Sequence, residues 1–128
     1  MSEILVPIVP ADLIDRLTRL QLRSQHVNAT PAQALLLHQI TQLQKAADHA
    51  LPADAKLQSL WHNLAEVNAD LFALDADIRR CAERLDFGPG FVALTQAAIA
   101  TQDSRIRIKQ EINQLLASVR PTSGVTAH

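Results

Sequence analysis

The sequence predicts an all-α protein. The expected architecture is a bundle on a long antiparallel helical hairpin, about residues 54–86 and 89–119, with two shorter helices and a short extended arm before it. Three observations predict it. Leu57, Leu64, Leu71, Ile78 and Leu85 recur seven apart, with Leu60, Val67, Leu74 and Cys81 three further on. Four heptads of this kind describe a long helix with a seam that packs on another helix. The composition is helix-forming, with 48% apolar residues drawn mainly from Leu, Ala, Ile and Val, against three Phe, one Trp and no Tyr. Punctuation is sparse, with three Gly and six Pro, and it falls at the ends of the apolar runs.

Along the chain, residues 3 to 9 alternate Ile4, Val6, Ile8 against Leu5, Pro7, Val9. Both faces are apolar, so an extended arm there needs a cover. Pro10 and Asp12 open a first helix running to about His26, with Leu13, Leu17, Leu20 and Val27 as its core face and Ile14 beside them. Thr30-Pro31-Ala32-Gln33 is a start signal, with a capping residue, a proline suited to the first helical position and a glutamine completing a capping box. The second helix runs to about Ala50 with Leu36, Ile40, Leu43 and Ala47 inward. Leu51-Pro52-Ala53-Asp54 ends it and caps the third. Phe87-Gly88-Pro89-Gly90 is the sharpest break, with a glycine to stop one helix and a proline to start the next. The fourth helix carries Phe91, Leu94, Ala98, Ile108, Ile112, Leu115 and Val119 as its seam, and Arg120-Pro121 ends it.

The 128 residues suit one domain, expected over 1–119, with 120–128 as a disordered tail. Helices of about 30 residues span roughly 45 Å, longer than the first two helices can cover. The uncovered seam predicts a homodimer. A net charge of −1 and a pI near 6.5 argue against nucleic acid, as does 3% aromatic content. No stretch reaches the ~18 apolar residues that read as a membrane span. The opening MSEILVPIVP lacks a positive n-region and a long apolar run, so it does not read as a signal peptide. Cys81 is the lone cysteine and has no intramolecular partner. A reduced, cytoplasmic protein is expected.

Chemistry-bearing motifs are scarce. Five histidines, at 26, 38, 49, 62 and 128, show no metal-ligand spacing; His62 and Glu66, four apart, read as a solvent-facing pair. Cys81 sits on the heptad seam, where a thiol serves as a small apolar filler rather than a nucleophile. There is no GxSxG, P-loop or GxGxxG, and Gly88-Pro89-Gly90 fits a turn. No cofactor or metal is expected. The sequon Asn28-Ala29-Thr30 is followed by proline in a chain read as cytoplasmic and is set aside. The pairs Asp12–Arg16, Asp15–Arg19, Asp75–Arg79, Asp103–Arg107 and Arg107–Glu111 are four apart and read as solvated faces, though Arg16, Arg19 and Arg23 on one face also suit an anion.

Polar residues on the seams stand out. Asn68 and Asp75 share a seven-spaced stripe with Trp61, and Arg105 interrupts the stripe Phe91, Ala98, Ile112, with Lys109 on the same side. In a hairpin turning near residue 88, Asp75 and Arg105 are predicted partners, with Asn68 and Lys109 about two turns on. Buried charges need partners. The bland reading is a register device; the sharper one is a ligand site of Asn68, Asp75, Arg105 and Lys109, which Asp15 and Arg16 join only through a family resemblance.

The segments EILVP at 3–7, DLIDRLT at 12–18, VNADLFALDADIR at 67–79 and DFG at 86–88, with TQD at 101–103 and Arg105, Lys109 and Ile112-Asn113 beyond, resemble a family of small bacterial proteins classed as a domain of unknown function. The likeness runs from Glu3 to Ser118, leaving out the region around 28–56. Gln21 and Arg23 stand where that pattern has an acidic residue and a lysine, and Gln102-Asp103 where it has Asn-Asp; the C-terminal ends differ as well. The resemblance implies that Glu3, Asp15, Arg16, Asn68, Asp75, Asp77, Arg79, Asp103, Arg105, Lys109 and Asn113 belong to one site or scaffold, and it brings no activity. The LIDRL start is also similar to helical chorismate mutases, which hold a dianion among arginines and lysines between long helices. Asp15, Arg16, Arg23, Arg105 and Lys109 offer that chemistry, while the Arg-rich second segment of that family is missing. The function expected is a protein-binding or assembly module, with a small anion-binding protein or enzyme as the alternative.

Overall fold

The computed structural model describes residues 8–27 and 30–119, with only the backbone of Thr30 and Val119. Among these residues there are four α-helices and no strand: α1 Pro10–Ser24, α2 Thr30–Ala50, α3 Ala55–Glu83 and α4 Pro89–Val119. No helix is long and apolar enough to cross a membrane. The arm expected over 3–9 lies outside the described residues except for Ile8 and Val9, which are exposed. The tail from 120 lies outside them too, as do the capping side chain of Thr30 and the sequon residues Asn28 and Ala29.

Two helix ends are set locally and one from across the bundle. Pro10 supplies the helical φ at the first position of α1 and needs no N–H partner there. Val9 precedes it and offers no side-chain cap. The exposed start is closed from across the bundle instead, because the Ala11 N–H donates to Asn113 Oδ1 at 3.1 Å. Asp54 caps α3 in the usual way, its carboxylate accepting from the Leu57 N–H at 2.9 Å. The third helix stops at Glu83, earlier than Gly88 suggested. The Asp86 N–H reaches the Cys81 carbonyl at 2.8 Å and the Leu85 N–H reaches the Ala82 carbonyl at 3.0 Å. That bonding is the Schellman ending. The left-handed residue it requires is Leu85, at φ 56, and not a glycine.

The core is centred on α1, which packs against all three other helices. One of its faces presents Ala11 and Ile14 to Leu57, Leu60 and Leu64 of α3 and to Ile112 and Leu116 of α4. The other presents Leu13 and Leu17 to Ala47 of α2, with Ile40, Leu43 and Trp61 packed alongside. The first turns of α3 therefore meet the last turns of α4. Fully burying one such leucine contributes about 1.5–3 kcal/mol. The sequence reading placed the α1 core face on Leu13, Leu17, Leu20 and Val27. Leu20 and Val27 are only half-buried, and the second buried stripe is Ala11, Ile14, Asp15, Thr18.

Burial falls along the heptad as α1 runs out. Leu57, Leu60 and Leu64 are buried, Leu71, Leu74, Ile78 and Cys81 are half-buried, and Leu85 is 78% exposed. The sequence pattern is uniform across these positions, but cover from a third helix is not.

Candidate functional site

A buried polar layer closes the core where α1 ends its contact with α3 and α4. Asp15 lies on the inward stripe of α1 and is 1% exposed. Arg105 crosses from α4 and grips it with a two-pronged fork: Nε donates to Asp15 Oδ1 at 3.1 Å and Nη2 donates to Oδ2. A guanidinium matches a carboxylate in this way and fixes orientation as well as charge. Asn68, from the seam of α3, donates through Nδ2 to Asp15 Oδ1 at 3.0 Å and to Thr18 Oγ1 at 2.8 Å. Its orientation is forced, since an ionised carboxylate only accepts. Thr18 Oγ1 in turn donates to the backbone carbonyl of Asp15 at 2.9 Å. Lys109, one turn beyond Arg105, ties Asp12 at 2.8 Å and stands 3.7 Å from Asp15 Oδ2. Arg19 Nε lies 3.2 Å from Asp15 Oδ2 on the solvent side.

Burial is the largest influence on the Asp15 carboxyl, and alone it would raise the pKa. The hydrogen bonds from Arg105 and Asn68, with the charges of Arg105 and Arg19, together outweigh it and hold the pKa below the ordinary aspartate value. Both Asp15 oxygens are engaged. The buried Asp15 carboxylate is thus neutralised and satisfied, which costs little in a core where an unpaired charge costs much.

Of the residues singled out from sequence, the structure brings together Asp15, Asn68, Arg105 and Lys109. The predicted Asp75–Arg105 pair is not formed. Arg105 turns toward α1, because Asp15 offers a buried carboxylate there, and Asp75 stays exposed beside Thr95, Ala98 and Gln102 of α4. Arg16 is exposed and stands apart, on the cleft between α1 and α3. Of the five Asp/Glu–Arg pairs predicted four apart, Asp15–Arg19 is the one seen among the described residues; its acid is buried rather than solvated. Asp77 pairs with Arg80 instead of leaving the surface to Asp75 and Arg79. Thr18 was missed altogether. The signal for it was the spacing 11, 14, 15, 18, a core stripe in which two of four positions are polar.

His62 and Glu66 stand 3.7 Å apart, both exposed. Among the described residues no three of His, Cys, Asp and Glu gather as a metal site would require. No family model matches the chain, and neither a curated protein nor a solved structure matches it.

Proposed function

We propose that the chain is an assembly module: a homodimer on a long antiparallel hairpin of α3 and α4, in which a second copy covers the half that α1 and α2 leave open. The observation that carries this reading is an apolar stripe on the outer side of α4. Val92, Ile99 and Ile106 stand seven apart and are all exposed, at 48%, 60% and 45%. In two-stranded helical seams β-branched residues repeat in this way at one of the two apolar positions of the heptad. A monomer gains nothing from repeating them on its surface. Leu85 and Phe87 extend the apolar surface toward the turn.

The Asp15–Arg105–Asn68 layer supports the same reading rather than a catalytic one. Every oxygen of its carboxylate is engaged within the protein, so it serves as the device that sets how α1 sits on the hairpin. Light scattering at micromolar concentration should give about twice the 14.0 kDa chain mass. Ile99→Glu should halve it without unfolding the chain. A monomeric parent sinks the proposal, and so does a dimer that Ile99→Glu leaves intact.

A further inference from the structure

A second feature lies on the opposite side of the polar layer. The last two turns of α1 and the middle of α3 enclose an open cleft of about 750 Å³. That is within the size range of small-molecule sites, about 300–1,000 Å³. Its charge is lopsided. Arg16, Arg19 and Arg23 follow at spacings of three and four, which puts them on one face of α1, and Arg79 reaches in from α3. The single carboxylate on the cleft is Asp75. Arg19 leans on Asp15, but that acid already carries the Arg105 fork. Arg16, Arg23 and Arg79 have no ion-pair partner among the described residues. Like charges three and four apart on a helix repel. A chain of net charge −1 nevertheless places four of its 12 cationic side chains here.

The walls specify more than an anion. Phe72 and His26 stack with ring centroids 4.4 Å apart, and His26 Nδ1 donates to the Leu22 carbonyl at 3.0 Å. This gives the cleft a flat, partly apolar side. Asn68 is 4% exposed and also borders the cleft. Its amide hydrogens are spent on Asp15 and Thr18, so its Oδ1 is the group left to accept. Asp75 offers a second acceptor. Guanidinium forks match phosphoryl oxygens, and the two acceptors suit hydroxyl or amino groups beside them.

We propose that this cleft binds a small phosphorylated metabolite, its phosphoryl charge held among Arg16, Arg23 and Arg79 and its hydroxyl or amino groups turned to Asn68 and Asp75. The site is separate from the proposed dimer seam, and neither reading needs the other.

The test uses the full chain and inorganic pyrophosphate as probe, by calorimetric titration at ionic strength held constant with sodium chloride. Saturable binding is expected. Arg79→Gln and Arg23→Gln should each weaken it about tenfold, the equivalent of one charge-assisted hydrogen bond. Arg84→Gln, at the exposed end of α3 and bonded to the Arg80 carbonyl, should leave it unchanged. All three side chains are exposed, and circular dichroism checks each fold before titration. Absence of saturable binding to the parent overturns the proposal. So does an equal loss in Arg84→Gln and Arg79→Gln, which would mark a diffuse response to charge. If the parent prefers a long polyphosphate or a phosphopeptide over pyrophosphate by more than its added charge explains, the partner is a macromolecule and the proposal fails as stated.

Discussion

Arg105→Met is the sharpest probe of the polar layer. The substitution keeps most of the side-chain volume and removes the fork from Asp15. An uncompensated buried charge costs about 3–5 kcal/mol. Asp15 retains Arg19 at 3.2 Å, Lys109 at 3.7 Å and the Asn68 hydrogen bond at 3.0 Å, so the low end of that range applies. The expected loss is about 3 kcal/mol near neutral pH, or roughly 10 °C in Tm for a chain of this size. The pH dependence should change sign. In the parent, the folded pKa of Asp15 is held below the unfolded value. The folded state then binds fewer protons, and the stability this confers is present above the unfolded pKa and lost as pH falls through the folded one. In the variant, burial keeps its full effect while the strongest counterweight is gone, so the folded pKa rises above the unfolded value. Stability from this group then grows as pH falls. Urea unfolding of both proteins at one fixed concentration, from about pH 7 to about pH 4, should show the gap between them narrowing. A gap below about 1 kcal/mol at neutral pH, or one that stays constant across the range, refutes the reasoning. The double variant Asp15→Leu/Arg105→Met serves as control and should recover most of the loss, because no orphan charge is left.

Two further changes test the helix ends. Leu85→Gly should raise stability by about 1 kcal/mol, since glycine adopts the left-handed φ of 56 without cost and the exposed leucine loses little packing; a lower urea midpoint would show that Leu85 makes contacts the single chain does not. Asn113→Ala should cost about 1 kcal/mol, as does losing an ordinary helix cap, because the Ala11 N–H at the start of α1 loses its acceptor; an unchanged midpoint would show that water replaces it freely.

Most of the helical layout was legible because it rests on local chemistry. Pro31 and Asp54 mark starts that hold to within a residue, and the fourth helix spans Pro89 to Val119 as its seam predicts. The end of α3 was not legible. Gly88 reads as the stop, yet the left-handed turn is made at Leu85, a residue that propensity argues against. The polar layer was half legible. Asn68, Arg105 and Lys109 betrayed themselves by interrupting apolar stripes. Asp15 was among the candidates but not as the partner of Arg105, because it lies four residues before Arg19 and imitates a solvated pair. Pairing Arg105 with Asp75 followed the register of an expected hairpin alone and ignored α1, whose position on α3 and α4 no sequence period encodes.

That gap has a physical origin that also bears on why the layer is there. Leucine rows on α3 and α4 accept an apolar helix at several offsets with little difference in burial, since one methyl cluster packs much like the next. A carboxylate cannot be displaced so cheaply. Sliding α1 by one turn, about 5.4 Å, would carry Asp15 away from the Arg105 fork and from Asn68 and leave charged groups of both signs buried without partners. The Asn113 cap on Ala11 penalises the same slip from the other end of α1. Two polar attachments, one at the first turn and one at the second, therefore restrict α1 to a single register on an otherwise permissive apolar surface. That register fixes where the cover that α1 gives to α3 and α4 ends. It also aims Arg16 and Arg23 at the cleft bordered by α3, so the proposed dimer seam depends on a layer that takes no part in it, and the proposed basic cleft on a layer that lends it Asn68.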